Sequence, residues 1–440
     1  MREGGTARPK RRFWRIVVVV GLLAVVVAAG FGAVAWRPTI DVVATPGRES
    51  FDPDLIRRGA VLAAGGFCAT CHTATDGRPL AGGRPLETPF GTIWGTNITP
   101  DRDTGIGAWS LAAFKRSMRD GIDRDGRHLY PAFPYNHFTQ LTDRDLEALY
   151  AYLMTREPFR AEVRDPDFPF PYNLRPLVAG WNLLFLRRGP TEPRPSADPS
   201  IDRGRYLAEA LSHCSACHAP RNMLGAEREG DQHFAGGEAE GWWSPPLDRS
   251  SPAPVPWTEE NLFNYLRSWD SAHGGGVGPM QPVVAGLAQL PAADVRAIAR
   301  YIAQSMGPPS AERQAGTEAI IARAAPARTG PEIERGEGVY RGACASCHES
   351  GGTVPFTVKS LAQHTTLVGP DPRNVIRVVL HGVHTDEGEV GAIMPAFGST
   401  LTEGQVVDLL AYLRARYTDG PAWPDVAGTV RRIAAEKPRG

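Results

Sequence analysis

The sequence predicts an all-α protein of three tandem domains behind one N-terminal transmembrane helix. Three observations lead to this fold class. An uncharged apolar stretch lies near the N-terminus, the motif C-x-x-C-H occurs three times, and similar helix patterns flank each copy. The 440 residues are enough for three or four domains of ordinary size. We place the boundaries at 1–50 (basic tail, anchor and linker), 51–190, 191–310 and 325–420 (the three domains) and 421–440 (C-terminal tail).

The N-terminal segment predicts export. Residues 2–15 hold six basic residues and one acidic residue, and Ile16 to Trp36 then run for 21 residues without a charge. A helix of that length can span a hydrocarbon core of about 30 Å, and its basic flank stays in the cytoplasm. The alternative is a cleaved signal peptide with Ala33–Ala35 as cleavage site, but the apolar stretch exceeds a usual signal. We therefore expect a retained anchor in the cell inner membrane, with the domains in the periplasm.

All six cysteines fall in the three C-x-x-C-H motifs, so none remains for a disulfide. This motif is typical of haem attachment: two thiols one helical turn apart form thioethers with the porphyrin, and the adjacent histidine reaches the iron. A chance redox pair or half a zinc site would explain one copy, but not three. The sequence therefore predicts three covalently bound haem c groups, attached through Cys68, Cys71, Cys214, Cys217, Cys344 and Cys347. The proximal iron ligands would be His72, His218 and His348.

A repeated helix pattern surrounds each motif. A short helix pattern with Arg-Gly precedes it, and an amphipathic pattern follows farther on, at 141–153, 290–302 and 401–413. We expect the first and last helices of each domain to cross, with a glycine that allows close approach. The expected pairs are Gly59 with Tyr152, Gly204 with Tyr301 and Gly336 with Tyr412.

The sixth iron ligand is expected on a loop before the last helix of each domain. Met280, in "GPMQP", lies 62 residues after His218, and Met394, in "MPAF", lies 46 residues after His348. Of the seven methionines, only these two occupy the repeat-equivalent place. A single methionine is more often core filler, but the shared position and the nearby prolines favour axial ligation.

The first domain breaks this pattern, because Phe133 stands where methionine is expected. His137 lies on the same loop, four residues before Leu141, and His128 lies five residues before Phe133. We predict His137 as the axial ligand, with His128 or an open five-coordinate iron as alternatives. Histidine in place of methionine would lower the potential of this haem below those of the other two.

Several segments resemble the three-haem cytochrome c subunits of membrane-bound bacterial dehydrogenases, the alcohol and gluconate dehydrogenase family. They are "GTIWGTNITPDRDTGIG" (91–107), "LYPAFPY" (129–135), "LTDRDLEALYAYL" (141–153), "CSACHAPRNMLGA" (214–226) and "MPAF" (394–397). The resemblance, like the helix pattern, implies class I cytochrome c domains. Typical members carry methionine in "PAMPY", where this chain has Phe133. "PAFPY" with a following "HF" looks like the branch that accompanies molybdenum hydroxylases, as do "LMTREPF" and "NLRPLVAGWNLLF".

The resemblance implies an electron-transfer subunit that is not an enzyme on its own. It would carry electrons from a periplasmic dehydrogenase catalytic subunit, of the molybdenum hydroxylase, quinoprotein or flavoprotein type, to ubiquinone, a downstream cytochrome or an oxidase. The chain has no Rossmann fingerprint, phosphate loop or catalytic-triad signature, and its zero net charge gives no indication of a nucleic-acid partner. The competing hypothesis is a haem enzyme, a peroxidase or reductase, that uses an open iron in the first domain.

The apolar segment 177–186, "LVAGWNLLFL", lies between the first two repeats in a proline-rich connection. Its ten residues are too few to span a membrane. We expect this segment to pack between domains, with a position at the membrane surface or against a partner protein as the alternative.

Overall fold

The structure, a computed structural model, is mostly helical. Its strands within the described residues form three two-stranded antiparallel hairpins. Side chains are described from Phe13 onward. The residues that the structure describes are 8–162, 164–189, 196–308, 310–323, 325–349, 360–383 and 394–436.

Helix α1, Arg8–Ala35, contains the predicted anchor. Its segment Phe13–Ala35 is long and apolar enough to cross a membrane, with a mean hydropathy of 2.8, and its most apolar stretch is not buried inside the protein. A helix that is apolar on every face needs lipid or protein around it. Because the rest of the chain does not cover α1, this helix is a candidate membrane anchor.

The first repeat contains the following elements: a 3₁₀ turn at Arg48–Ser50, α2 Pro53–Gly65, α3 Cys68–His72, β1 Pro85–Thr88, β2 Gly91–Trp94, α4 Leu111–Asp120, α5 Tyr135–Phe138 and α6 Asp143–Met154. The side chains of Asp52, Ser110 and Thr142 cap α2, α4 and α6 by accepting hydrogen bonds from first-turn amides. The helix predicted at 141–153 is thus confirmed as α6. Helix α7, Leu177–Phe185, follows in the connection to the second repeat.

The second repeat contains these elements: α8 Pro199–Arg205, a π-helical turn Tyr206–Leu211, α9 Ser215–His218, a 3₁₀ turn Gly230–Gln232, β3 Gly237–Ala239, β4 Trp242–Ser244, α10 Glu259–Arg267, β5 Trp269–Asp270, β6 Gly274–Gly275, α11 Met280–Leu287 and α12 Ala292–Met306. The π-helical turn has a simple cause. Cys214 lies ten residues after Gly204, whereas Cys68 lies nine residues after Gly59. The wider turn absorbs the extra residue, so that both motifs follow their first helix in the same way.

The third repeat follows α13, Ala311–Ala322, and contains α14 Pro331–Ala343, α15 Ala345–His348, a 3₁₀ turn Leu361–Gln363, α16 Thr365–Val368, α17 Arg373–His381 and α18 Glu403–Tyr417. A last helix, α19 Val426–Ala435, packs on α17 and α18. Thr402 and Gln405 form a reciprocal capping box at the start of α18, where the acidic and polar start pattern predicted a helix.

The predicted helix crossing occurs in all three repeats. A Cβ atom on Gly59 would overlap the carbonyl oxygen of Ala148 and the Cβ of Tyr152, so only glycine fits there. Gly204 meets Ala297 and Tyr301 in the same way, and Gly336 meets Asp408 and Tyr412. The three crossings are α2 with α6, α8 with α12 and α14 with α18. Each glycine–tyrosine pair expected from the sequence is confirmed.

An ion pair fastens each crossing beside its glycine. The arginine that precedes the glycine contacts an aspartate of the last helix: Arg58 with Asp145, Arg203 with Asp294 and Arg335 with Asp408. Arg203 and Arg335 each contact both carboxylate oxygens of their partner. This forked geometry fixes the relative rotation of the two helices more firmly than a single contact would. In each Arg-Gly pair the glycine therefore allows the first and last helices to approach closely, and the arginine fixes their relative orientation.

The hydrophobic side chains form two separate cores. The first two repeats share one core, since Leu62, Leu146, Leu207 and Ile298 belong to a single buried cluster. The third repeat has its own core around α14, α17 and α18. The first two repeats are therefore packed together around one core. The third repeat contacts them through its surface.

Candidate haem sites

The first two motif histidines have the orientation that an iron ligand needs. Nδ1 of His72 donates a hydrogen bond to the carbonyl oxygen of Thr96 at 2.6 Å, and Nδ1 of His218 donates to that of Pro245 at 2.7 Å. A hydrogen on Nδ1 leaves Nε2 as the basic nitrogen, and the bond holds the ring in place. Burial lowers the pKa of both imidazoles, so they stay neutral, as an iron ligand must be.

The third motif has the same local form. His348 ends helix α15, as His218 ends α9. Burial lowers the pKa of His348, which keeps this imidazole neutral too. Residues 350–359, which follow directly, lie outside the described part of the chain.

The cysteine thiols form no disulfide; five of the six cysteines are half-buried and Cys347 is exposed. Burial raises the pKa of Cys68 and of Cys214 to about 12, with the paired cysteine adding to the effect. Such thiols are not preformed thiolates, as a redox pair or a zinc site would require. Among the described residues no cluster of three or more His, Cys, Asp or Glu side chains could hold a metal ion. Paired neutral thiols beside a correctly oriented neutral histidine fit covalent haem c.

The attachment segments of the first two repeats lie against each other. Phe67 and His213, the residues directly before Cys68 and Cys214, both adopt positive φ angles of 55° and 39°. Their rings meet edge to face with centroids 5.7 Å apart. Nearby, Arg84 of the first repeat forms an ion pair at 3.0 Å with Glu240 of the second. The first two motifs are therefore held side by side, which is the arrangement that electron transfer between two haems requires.

A hairpin covers each of these two motifs. Gly95, after β2, lies so close to the carbonyl of Cys71 that a Cβ there would overlap it, and Gly237 in β3 approaches Cys217 in the same way. These two glycines are needed for close backbone approach rather than for an unusual φ angle.

The β3–β4 hairpin also joins the second repeat to the third. Asn374 of α17 pairs with the backbone of Trp243 through two hydrogen bonds: its Oδ1 accepts from the Trp243 amide at 2.9 Å and its Nδ2 donates to the Trp243 carbonyl at 2.8 Å. Arg377 adds a hydrogen bond to the carbonyl of Gly241 at 3.0 Å. The hairpin that packs on the second motif therefore also positions the third repeat.

The two predicted methionine ligands both precede the last helix of their repeat, but Met280 is the first residue of a short helix and not part of a loop. Met280 begins α11 after Pro279 and packs against the shared core of the first two repeats. Met394 packs against the core of the third repeat, and its backbone forms two hydrogen bonds with Val383, each 2.9 Å. Met280 and Met394 remain predictions as iron ligands.

His137 has a setting that the sequence did not reveal. Its Nδ1 lies 2.8 Å from the carbonyl oxygen of Glu209, and its Nε2 lies 2.8 Å from Oε1 of Glu227. Both partners are hydrogen-bond acceptors, so both ring nitrogens are engaged with protein oxygens in this arrangement. Ligation by His137 stays a prediction, and it requires that one of these hydrogen bonds be given up.

The position of His137 explains this setting. His137 lies four residues before Leu141, and Gly286 lies four residues before Leu290. Gly286 packs against the carbonyl oxygen of Ala64 in the first repeat, while His137 bonds to that of Glu209 in the second. Each ligand loop thus packs on the first helix of the other repeat. Comparing the two loops in the sequence could have indicated this interface role.

His128, the alternative ligand, is bound elsewhere. Its Nε2 lies 2.9 Å from the carbonyl oxygen of Ala35, at the end of α1. Phe133 packs against Tyr135 and Phe138 in the shared core. Phe133, which stands at the position where methionine is expected, therefore lies in a hydrophobic environment.

Comparison with known proteins identifies the family. The family model for cytochrome c matches residues 56–157, and that for subunit III of cbb3-type cytochrome c oxidase matches 331–413. The gluconate 2-dehydrogenase cytochrome c subunit of Pantoea cypripedii is 36% identical over 83% of this chain and 86% of its own length. The chain belongs to the family of dehydrogenase cytochrome c subunits.

Other relatives support the same family. The fructose dehydrogenase cytochrome subunit of Gluconobacter japonicus is 33% identical over 96% of this cytochrome subunit and 90% of the relative. A nicotinate dehydrogenase subunit of Pseudomonas putida is 45% identical over 97% of the chain. The chain spans only 36% of the length of that protein.

The family defines the kind of activity. This cytochrome subunit carries covalently bound haem c and is an electron-transfer subunit of a dehydrogenase complex rather than a catalytic enzyme. The haem-enzyme alternative is thus not supported by the relatives, which are named as subunits of dehydrogenases. Helix α1 is its candidate anchor.

Proposed function

We propose that this subunit holds three haem c groups, one in each of three class I cytochrome c domains, and conducts electrons from a dehydrogenase catalytic subunit to ubiquinone. The observation that carries this proposal is the threefold recurrence of one unit: a C-x-x-C-H motif directly after a helix that crosses the last helix at a glycine. The hydrogen bonds that orient His72 and His218 support ligation in the first two units.

The catalytic partner we favour is of the molybdenum hydroxylase type. Two observations support it: the similarity to the nicotinate dehydrogenase subunit across 97% of the chain, and Phe133 at the methionine place. A quinoprotein or flavoprotein partner is the alternative, since relatives also serve gluconate and fructose dehydrogenases. The partner oxidises the substrate and supplies electrons one at a time. Reduction of one ubiquinone consumes two electrons and two protons, and the protons come from water.

The proposed location is the cell inner membrane, with α1 as the single anchor and the haem domains in the periplasm. The basic residues that precede the uncharged stretch of α1 support this orientation. We further propose Met280 and Met394 as the sixth ligands of the second and third haems. For the first haem the proposed sixth ligand is His137, whose Nε2 exchanges its hydrogen bond to Glu227 for the iron.

Haem counting and spectroscopy of the full chain test the proposal. Three haems per chain are expected, falling to two when Cys68 and Cys71 are both replaced by alanine. Addition of the co-purified catalytic subunit and its substrate should reduce all of them. Two haems in the unmodified chain would overturn the three-haem proposal. Failure of the catalytic subunit to reduce the haems would overturn the electron-transfer route.

A further inference from the structure

We propose that a cavity between the anchor helix α1 and helix α7 binds the ring of a lipid-soluble quinol. This inference rests on the proposed function, in which ubiquinone accepts the electrons, and it assigns a place to that acceptor. The cavity has a volume of about 170 Å³. For comparison, an apolar cavity of about 150 Å³ accommodates benzene, so a single six-membered ring has room here.

The walls of the cavity come from three parts of the chain. Val34 and Arg37 lie at the C-terminal end of the anchor, and Ala179, Asn182 and Leu183 belong to α7. His128 of the first repeat lines the cavity as well. With Leu186 and Arg188, four of the eight lining residues are apolar and four are polar, so the cavity suits a ring that carries polar groups.

His128 determines what the ligand must offer. The residue is 4% exposed, and Nε2 donates its hydrogen to the carbonyl oxygen of Ala35 at 2.9 Å. Nδ1 is therefore the basic nitrogen, and it has no hydrogen-bond partner among the described residues. Burial lowers the pKa of this imidazole and keeps it neutral. A buried acceptor without a partner calls for a ligand that donates a hydrogen bond.

Two arginines that line the cavity, Arg37 and Arg188, have hydrogen-bond donors for a second atom of the ligand. Arg37 uses Nη1 for its described hydrogen bonds, to the carbonyls of Ala33 and Trp36, and Arg188 uses Nε toward Asp120. A guanidinium has five N–H donors, so both arginines have further N–H groups that can donate to a ligand. A quinol ring carries a hydroxyl that donates and a second oxygen that accepts. A phosphate diester has no donor and would leave Nδ1 of His128 without a partner, and phosphatidylglycerol, whose glycerol hydroxyls do donate, is therefore the competitor to test.

The place of the cavity suits a ligand with a lipid tail. Val34 belongs to the apolar segment Phe13–Ala35, so the cavity lies where this segment ends. Leu183 and Leu184 of α7 are 63% and 70% exposed, although both are large and apolar. A Cβ atom added to Gly180 of the same helix would lie 3.7 Å from the ring of Phe31 in α1. Helix α7 is thus beside the anchor with apolar side chains outward, as at a membrane surface.

Calorimetric titration of the full chain in detergent tests the proposal. Decylubiquinol is added to protein with its haems already reduced, and decylubiquinone to oxidised protein, so that neither ligand reacts. We expect the quinol to bind at least tenfold more tightly than the quinone, because only the quinol donates to Nδ1. The variant H128A should lose this preference. L183W should weaken quinol binding at least tenfold by narrowing the cavity, whereas the neighbouring L184W, which does not line it, should bind normally.

Three results would overturn the inference: unchanged quinol binding in both H128A and L183W, equal weakening by L184W, or binding of a short-chain phosphatidylglycerol in place of decylubiquinol. The last result would identify a lipid-headgroup site. Reduction of ferricyanide by the complex of this chain with its catalytic subunit separates this inference from the proposed function. Normal ferricyanide reduction without quinol binding would overturn only the cavity assignment, and no ferricyanide reduction would overturn the electron-transfer route.

Discussion

Nε2 of His137 lies 2.8 Å from Oε1 of Glu227, and the two side chains are only 11% and 12% exposed. This ion pair joins the ligand loop of the first repeat to the segment that follows the haem motif of the second. Glu227 also accepts a hydrogen bond at 2.8 Å from Ser215, which lies inside the second motif. A residue that the sequence suggests as an iron ligand therefore links two repeats.

The variant H137A should give the first haem a new high-spin band, because His137 is its proposed sixth ligand, and should lower the stability of the first two repeats. Removing the imidazole leaves Oε1 of the largely buried Glu227 without its partner at 2.8 Å, which costs about 3 kcal/mol. Chemical unfolding measures the stability, and the ferric absorption spectrum at neutral pH measures ligation. The control is H233A: His233 lies 3.3 Å from Glu209 but is 32% exposed, so its loss should cost less than about 1 kcal/mol. An unchanged ferric spectrum in H137A would show that His137 is not the sixth ligand and that it serves only to link the two repeats.

The stability of the protein should fall in acid because of Glu227. Burial alone would raise the pKa of this carboxyl, but His137, Arg221 and Ser215 outweigh it and lower the pKa to about 2. An unfolded glutamate has a pKa of about 4.3, so the unfolded chain binds the proton first as pH falls. The stabilisation is complete above about pH 4.3 and is lost as pH falls toward 2.

Unfolding experiments at pH 7, 5 and 3 measure this effect. The wild type should lose about 1.7 kcal/mol more than E227Q over this range, mostly below about pH 4.3. The control is E229Q, since Glu229 is exposed and pairs with the exposed Arg187. It should follow the wild type. Parallel pH profiles for wild type and E227Q would contradict the assignment of this carboxylate as the acid-sensitive group.

The sequence predicts those parts of the structure that depend on local patterns. The C-x-x-C-H motifs, the start of α6 at the Thr142 cap and the Gly59–Tyr152 contact all follow from spacing that recurs in each repeat. Contacts between repeats have no such period. The shared core, the pairing of Asn374 with Trp243 and the partner of His137 depend on how whole repeats pack. The sequence therefore predicts the first two repeats as separate domains, although in the structure they share one core.

Two glycines of one helix should respond in opposite ways to the same substitution. In G336A the new methyl group would overlap the carbonyl oxygen of Asp408, so we expect a loss of about 3 kcal/mol. Gly338 has nothing within 4 Å of its added Cβ, so G338A should stabilise α14 by about 0.5 to 1 kcal/mol. Chemical unfolding followed by the near-UV signal of the third repeat measures both. Equal effects would show that helix propensity, rather than the crossing, determines stability here.

The variant N374A should loosen the third repeat from the second. The backbone amide and the carbonyl of Trp243 each lose their hydrogen bond to the Asn374 side chain. Each group left unpaired costs about 1 to 3 kcal/mol. Hydrogen exchange at the Trp243 amide should become at least tenfold faster. N374D keeps the acceptor for that amide but lacks the donor, so its exchange should rise less. Equal exchange in wild type and N374A would show that Arg377 and the rest of the interface suffice to hold this hairpin.

Replacing Met280 by leucine should convert one haem from low spin to high spin. Leucine fills a similar volume, so the packing cost is below about 1.5 kcal/mol, but it has no sulfur to bind iron. The potential of that haem should also fall, because methionine ligation raises it. The ferric spectrum and a redox titration measure the two effects. M223L is the matched control, since Met223 is 95% exposed and lies outside both cores. If M280L and M223L give the same low-spin spectrum, Met280 is core filler and another residue of the second repeat is the sixth ligand of that iron.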